Sequence, residues 1–456
     1  MTDSDPRAAA AAMVGAGLAR EKRNELTGLL SAHFARWEPV RQAGKYIDAL
    51  MSDLPDKNCW SLAQHAGDLS PDKMQRLLER AAWDQPAAMR TVRDFAVAGL
   101  ACPDGLTVLV LDESGQVKQG THTAGVKPQY VGCAGRVTNA INFVNATYST
   151  ARGHTLTGSR LWVPEEHLTD PATRAMMGIP DHLQPATKPQ LGAQMLAETL
   201  EAGIEVPWLA ADEVYGQDPG LRDLCEERGV GYVLGVACSF RVTLPSGARM
   251  RADKALTKVP ERAWTITSCG AGSKGDRRYA WAWIAARDRR RHLLIRRNLH
   301  DPARIDYFWC FVPEGRPVCL PILASVCGRR WTVEEDHEFG KDQFGYDHAQ
   351  VRLYTPVMRH LTLVMAALAI CAVTTADLRD TSPAPPLPTR ADELPPQDPG
   401  LIPFTVPEIR RLYILFHQTL HSITHGLRWS RWRRRHQARA RWHHHRTRLR
   451  EFETFP

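Results

Sequence analysis

The pattern of apolar and polar positions divides the chain into a helical first part and a β-rich second part. Up to about residue 100, apolar side chains recur at intervals of three and four in successive segments, which is typical of amphipathic helices. Proline, glycine and aspartate separate these segments, as expected at helix ends. The segments are Glu25–Trp37, Val40–Met51, Trp60–Ala66 and Asp72–Ala82. The pattern predicts a helical N-terminal region over residues 1–100.

From Leu106 onward the pattern takes the shorter period of β-strands. Three runs rich in β-branched and aromatic residues precede a helical segment, a strand, a second helix and another strand. The strand runs are LTVLVLD, NAINFVNATYST, HTLTGSRLWVP, VPWLAAD and VGYVLGVA. This order is typical of an RNase H-like α/β fold, and we assign its first part to residues 101–238.

Residues 239–316 also have β-type patterning, and three predicted helices follow them. We interpret this segment as a β-rich domain inserted before the last part of the core, which covers residues 317–376. The predicted helices are Leu320–Val326, Arg329–Phe344 and Tyr354–Val373. The last one includes an uncharged stretch that is short for a membrane span, so we expect a buried core helix and no membrane association.

The C-terminal part has a different composition. Residues 377–407 contain a dense proline cluster, which predicts an extended linker because proline lacks an amide donor. Residues 408–456 form a basic tail in which Arg428 to Arg450 holds ten arginines, three tryptophans and no acid. Arginine binds phosphate and tryptophan stacks on bases, so we expect nucleic-acid binding, non-specific rather than sequence-specific. The candidate phosphate contacts are Arg428, Arg433, Arg434 and Arg435.

The overall composition is that of an ordinary globular protein, with 43% hydrophobic and 24% charged residues among 456. The net charge of +8 fits a polyanionic partner but favours nucleic acid only weakly. The ten cysteines form no CxxC pair, which indicates neither a zinc site nor a disulfide framework. A reduced cytoplasmic protein is the simplest interpretation.

Three acids are candidates for catalysis. Asp112 and Asp212 each end an apolar strand run, and Glu334 lies between Arg330 and Lys341 in an R-x3-E-x6-K pattern. That spacing places the three charged residues on one helix face. Two strand-terminal aspartates and a helical glutamate can form the ligand set of a two-metal phosphoryl-transfer site.

Each acid has an acidic neighbour that could take its place. Strand alternation allows only one of Asp112 and Glu113, and only one of Asp212 and Glu213, to point into a common site. The residues alone favour the first acid of each pair only modestly. An Arg-Glu-Lys helix face is, by itself, more often a solvated salt-bridge ladder than a site.

The chain resembles the DDE transposases of bacterial insertion sequences, in the branch whose third acid lies in a Tyr-Arg-Glu-Lys signature. The resemblance covers most of the chain, and its segments run in the family order. They are KNCWSLAQHAGDLSPDKMQRLL, VLDESGQVKQG, GSRLWVP, TKPQLGAQML, WLAADEVYG, AGSKGDRRYAWAW, HLLIRRN, RRWTVEEDHEFGKDQFG and MRHLTLVMAALA. One departure is that the signature tyrosine falls at Cys327, which bears on DNA contacts rather than on the chemistry.

The resemblance implies a transposase that cuts the ends of its element and joins them to target DNA. Asp112, Asp212 and Glu334 are then the catalytic metal ligands, and Arg330 and Lys341 contact the scissile phosphate. An all-oxygen ligand set favours Mg²⁺, with Mn²⁺ as a substitute, and two ions are expected. The implied partners are double-stranded DNA, as terminal inverted repeats and target, and a second copy of the chain in a homodimer.

Several alternatives remain open. The chain could be a catalytically silent DNA-binding protein derived from a transposase, although the intact acids argue against it. The N-terminal helices could bind the DNA ends or form a layer packed on the core. Trp264, Trp281 and Trp283 could stack on a flipped base, but core packing is the better expectation. His360 is expected to be structural, and the run His443–His445 to be part of a solvated, flexible tail.

Overall fold

A mixed sheet of ten strands, counted over the described part of the chain, forms the centre of the computed structural model. The structure describes residues 6–272, 275–379, 390, 393–394, 401–417 and 421–453. The strands are β1 (Val108–Val117), β2 (Lys127–Val131), β3 (Arg136–Ser149), β4 (His154–Trp162), β5 (Trp208–Ala211), β6 (Gly231–Val236), β7 (Arg241–Thr243), β8 (Arg249–Arg251), β9 (Thr265–Gly272), β10 (Gly275–Ala285), β11 (Arg291–Arg297) and β12 (Ile305–Phe311).

Helices cover both faces of this sheet. The helices are α1 (Pro6–Ser31), α2 (Trp37–Leu50), α3 (Cys59–His65), α4 (Asp72–Glu79), α5 (Gln85–Leu100), α6 (Glu165–Thr169), α7 (Pro171–Met176), α8 (Lys188–Glu201), α9 (Glu213–Gly216), α10 (Pro219–Glu227), α11 (Ala252–Leu256), α12 (Leu320–Arg329), α13 (Trp331–Phe344), α14 (Tyr354–Leu378), α15 (Val406–Phe416) and α16 (Ile423–Glu453).

The strand order confirms the predicted RNase H-like α/β core. β4, β3 and β1 are antiparallel neighbours, while β1, β5 and β6 are parallel neighbours. Side chains alternate between the two faces of β1. Leu109 and Leu111 share a core with α8, and Val108 and Val110 share another with α12 and α13. The two aspartate strands therefore lie side by side at the centre of the sheet.

The expected separate domain between the second and third acids is instead a continuation of the core sheet. β12 pairs with β6, and β11, β10 and β9 follow in order to the edge. Their apolar residues, such as Trp281 and Leu294, join the same cluster as Val108 and Val110. Only β7 and β8 pair apart from that sheet, in a two-stranded hairpin of the described chain. Pairing with the open edge of β6 satisfies backbone groups that a detached domain would leave exposed.

The N-terminal helices form a layer packed on the core, with α1, α2, α4 and α5 all contacting α14. The predicted segment Glu25–Trp37 is wrong at its end, because α1 stops at Ser31. Beyond it the chain forms a bridge between Phe34 and Trp83, whose rings stack at 4.9 Å. This tertiary contact overrides the local helical pattern.

The uncharged stretch before residue 376 lies in α14, which is long and apolar enough to cross a membrane by length and composition alone. Its residues are almost all buried within the protein, including Leu361, Met365 and Ile370. α14 is thus the central helix of the larger hydrophobic core, in agreement with the prediction.

The predicted linker, residues 377–407, falls mostly outside the described residues. At its edges, α14 continues to Leu378 and α15 already begins at Val406. The predicted tail is not uniformly exposed, because Ile409, Tyr413 and Trp429 are buried in the same core as α14. Apolar residues spaced along α15 and the start of α16 explain this docking.

Candidate active site

Neighbouring parallel strands bring Asp112 and Asp212 to the same edge of the sheet. The pairing of β1 with β5 ends at Leu111 opposite Ala211, and each aspartate is the next residue. The Asp112 carboxylate accepts the amide of Glu113 at 2.8 Å. Asp212 is the N-cap of α9 and accepts the amide of Val214 at 2.9 Å. Both carboxylates are therefore oriented by backbone donors.

Arg330 joins the first acid to the third. It lies at the junction of α12 and α13, while Glu334 is in the first turn of α13. The Arg330 guanidinium contacts Asp112 Oδ2 at 3.5 Å and donates a charge-assisted hydrogen bond to Glu334 Oε1. The spacing of four residues predicted the second contact, while only the fold could supply the first.

The cluster carries more negative than positive charge in a partly buried setting. The side chain of Asp112 is only 16% exposed, and burial raises its pKa to about 7. Arg330 opposes this increase, whereas the charges of Asp212 and Glu334 add to it. The three predicted acids thus act on one another electrostatically, with one arginine between them.

The acidic neighbours point away from this cluster. Glu113 forms an ion pair with Lys188 on the opposite face of β1 and accepts from Asn142 at 3.3 Å. Glu213 accepts from Gln217 at 2.8 Å on the surface. Glu335 pairs with His154 Nε2 at 3.0 Å. Each of these neighbouring acids thus has its own partner outside the cluster of Asp112, Asp212 and Glu334.

A buried ion pair fixes α13 to the sheet, and the sequence did not reveal it. His154 Nδ1 lies 2.8 Å from Asp336 Oδ1, and Thr147 Oγ1 donates to Asp336 Oδ2 at 2.7 Å. Burial alone lowers the pKa of His154, but Asp336 and Glu335 overcome this effect and raise it to about 9. The imidazole is therefore a cation that donates from both nitrogens.

A second buried network lies one position further along α13. Asn145 Nδ2 donates to His337 Nε2 at 3.0 Å, and the Tyr346 hydroxyl donates to Asn145 Oδ1 at 2.8 Å. Burial lowers the pKa of His337 to about 3, with a smaller contribution from Lys341. Asn145 is the β3 partner of Asp112. Polar residues at inward positions of β3 were the sequence signal that could have predicted both networks.

Lys341 is partly exposed in the last turn of α13. It is seven residues from Glu334, so it lies on the same helix face, about 10 Å further along the axis. Its position is that of a flanking cation, while Arg330 is in direct contact with the acids. Cys327, at the signature tyrosine position, is buried behind the site.

The other aromatic and histidine candidates have structural contacts. Trp281 is fully buried in the sheet core, and Trp283 packs on His292 with ring centroids 4.9 Å apart. Arg297 lies 4.0 Å above the ring of Trp264. His360 is buried and donates to the carbonyl of Gly345 at 2.9 Å. The predicted core packing holds for Trp281, whereas Trp264 is only partly buried and Trp283 is 36% exposed. The predicted structural role of His360 agrees with its position.

The basic candidates of α16 do not share one environment. Arg428, Arg434 and Arg435 are exposed, whereas Arg433 is partly buried and donates to Gln64 Oε1 at 2.6 Å. The run His443–His445 lies on an exposed part of the same helix. The fold thus brings Asp112, Asp212, Glu334 and Arg330 together, and places the α16 arginines on a separate element.

The metal-ligand set expected from the three acids is not fully assembled. Among the residues that the structure describes, no group of three or more histidine, cysteine, aspartate or glutamate side chains is close enough to hold a metal ion. Asp112 and Glu334 are instead linked to each other through the guanidinium of Arg330. The donor set still fits a hard divalent cation, because it consists of carboxylate oxygens with an excess of negative charge.

Sequence comparison identifies one family. The family model described as DDE superfamily endonuclease matches residues 29–291. This match includes Asp112 and Asp212 and ends before α13. No curated protein matches the chain in sequence.

Two solved structures show limited similarity. A piggyBac transposase in a synaptic complex with hairpin DNA has 11% identity and a TM-score of 0.44, covering 84% of this chain and 71% of its own. The NurA nuclease from Sulfolobus solfataricus has 10% identity and a TM-score of 0.21, covering 49% of this chain and 72% of its own.

Proposed function

Because the chain belongs to the DDE superfamily endonucleases, we propose that it is the transposase of an insertion sequence. In this proposal it cuts DNA at the ends of its element and joins them to target DNA. The observation that supports it is the contact of Arg330 with both Asp112 and Glu334, beside Asp212 on the neighbouring strand. Binding to double-stranded DNA and action as a homodimer are parts of the same proposal.

Asp112, Asp212 and Glu334 are the residues that would hold divalent ions, which we propose to be two Mg²⁺ with Mn²⁺ as a substitute. Such ions supply a lowered pKa for an attacking water and charge stabilisation for a leaving 3′ oxygen. The excess negative charge around Asp112 is the reason that cations would be drawn to this site. Ion binding requires Asp112 to be ionised, which its raised pKa opposes below neutral pH.

Arg330 has two roles in this proposal. It neutralises part of the carboxylate charge through its contacts with Asp112 and Glu334. A guanidinium also has five donors in a planar fork, so it can turn toward a phosphate once cations balance the acids. Lys341, two turns along the same helix face, would contact the DNA strand further from the scissile bond.

The first test is cleavage of a duplex that carries the terminal sequences of the element. The wild-type protein should nick this duplex in Mg²⁺ or Mn²⁺ and fail to do so with EDTA. Asp112→Asn should bind the duplex and leave it intact, while the neighbouring Glu113→Gln should retain cutting. Binding without cutting by the wild-type protein would instead support a catalytically silent DNA-binding protein.

A further inference from the structure

The last helix, α16, is held against the N-terminal helices along one face. The Trp429 indole is fully buried and donates Nε1 to the carbonyl of Asp68 at 2.9 Å. Trp432 packs edge-on against Trp60, with ring centroids 4.8 Å apart. Arg433 reaches the same region through its hydrogen bond to Gln64. These contacts define the anchored face of α16.

The opposite face of α16 carries a row of arginines. Arg434, Arg441 and Arg448 are spaced by seven residues, so they lie on one side of the helix, roughly opposite Trp429 and Trp432. All three are exposed. With a rise of 1.5 Å per residue, the row extends over about 21 Å. We call this row the outer face.

The sequence of α16 places many positive charges close to one another. Arg428 to Arg450 contains no acid, so arginines four residues apart, such as Arg431 and Arg435, repel each other. Residues 441–450 are all exposed, and burial does not stabilise them. A second copy of α16 would add further positive charge, whereas a polyanion would remove the repulsion.

We propose that the outer face of α16, formed by Arg434, Arg441 and Arg448, binds the phosphates of duplex DNA, and that Arg433 anchors the helix instead. This inference rests on the proposed function, since it requires that the protein acts on DNA. An α-helix of 10–12 Å diameter fits the B-DNA major groove, which is about 12 Å wide. The deep, narrow major groove of duplex RNA does not admit it. The proposed contacts are to the sugar-phosphate backbone of the DNA, so they carry no sequence information.

Two matched double variants test this assignment. Arg441→Gln with Arg448→Gln removes two charges from the outer face. Arg439→Gln with Arg446→Gln removes two charges at the same spacing, about 160° around the helix axis. Glutamine keeps a high helix propensity in both variants. The measurement is the affinity for a random-sequence DNA duplex as a function of salt concentration.

The outer-face variant should reduce the slope of log affinity against log salt by about 1.8, since each lost phosphate contact contributes about 0.9. The matched variant should change it by less than half of that amount. Equal changes in the two variants would overturn the assignment, because α16 would then act only through its total charge. So would a changed oligomeric state with unchanged DNA affinity, measured by sedimentation, because the outer face would then bind protein.

The outcome is independent of catalysis because binding is measured in EDTA. If the wild-type protein does not bind duplex DNA, the proposed function itself is wrong. If the wild-type protein binds and cuts DNA while the two variants bind alike, only the outer-face assignment is wrong. Far-UV circular dichroism of both variants should match the wild-type spectrum and so exclude loss of the helix.

Discussion

The carboxylate cluster and α16 each bring like charges together, but the cluster is partly buried whereas most of α16 is exposed. Asp112, Asp212 and Glu334 surround one arginine in a partly buried setting. Along α16 the arginines other than Arg433 are exposed, and the sequence from Arg428 to Arg450 contains no acid. Charge that is held in place by tertiary contacts suits chemistry at one point. Charge spread along an exposed helix suits contact with an extended polyanion.

The two regions also differ in how they are supported. Behind the acids, α13 is fixed to β3 and β4 by the ion pair of His154 with Asp336 and by the hydrogen bond of Asn145 to His337. By contrast, α16 is docked mainly through Trp429 and its neighbours. Precise placement of a few side chains needs many buried polar contacts, whereas placement of a charged helix needs only an anchor.

The largest effect is expected from removing one acid of the cluster, which tests whether the cluster serves cleavage rather than binding. Alanine at Asp112, Asp212 or Glu334 should each reduce DNA cleavage on the order of 10⁴-fold, as loss of an essential catalytic group does. DNA affinity should change little, because α16 is untouched. Cleavage kinetics and a filter-binding titration on one duplex measure both quantities. Near wild-type cutting by any of the three variants would remove that residue from the site.

Substitution of Trp429 tests whether this residue holds α16 against the rest of the protein. Trp429→Ala removes a fully buried side chain from the core, which should cost about 3–5 kcal/mol in the docking of α16. Limited digestion with trypsin should then cut the arginines of α16 much faster than in the wild-type protein. Trp442 is 59% exposed on the same helix, so Trp442→Ala is the control and should be digested at the wild-type rate. Equal rates in both variants would mean that Trp429 does not hold the helix.

Substitution of Arg330 tests whether this one cation stabilises the cluster of acids for cleavage. Arg330→Gln removes the contacts with Asp112 and Glu334, and should reduce cleavage about 10²- to 10³-fold, as loss of one electrostatic stabiliser does. Overall DNA affinity should fall by less than tenfold. Arg329→Gln is a neighbouring control, since Arg329 donates to the carbonyl of Thr150 instead. A larger loss of affinity than of cleavage would show that Arg330 acts mainly in binding.

The ion pair of His154 with Asp336 should make the stability of the protein depend on pH. The folded-state pKa of about 9 lies above the ordinary value of 6.5, so the stabilising contribution is complete below about 6.5 and is lost as the pH rises through 9. Urea unfolding of the wild-type protein should therefore show falling stability between pH 7 and 9.5. His154→Gln should be less stable at pH 7 and lack that part of the pH dependence. Parallel pH curves for the two proteins would show that His154 is not charged in the fold.

The local pattern alone predicted much of the core. The alternation in β1 modestly favoured Asp112 over Glu113 as the acid that faces a common site, and in the structure Asp112, within β1, contacts Arg330. The spacing of Arg330 and Glu334 likewise predicted their contact within one helical turn. These predictions succeeded because strand and helix periods fix the direction of a side chain without reference to distant residues.

Contacts between distant residues were decided only by the tertiary structure. The pairing of Phe34 with Trp83 ended α1 early, and the open edge of β6 drew the segment after residue 239 into the central sheet. Burial of Trp429 made the start of a basic tail part of the core. In each case packing and backbone pairing between segments far apart in the chain outweighed the local pattern. The local sequence pattern thus indicated the directions of the candidate acids, and the tertiary structure determined what surrounds them.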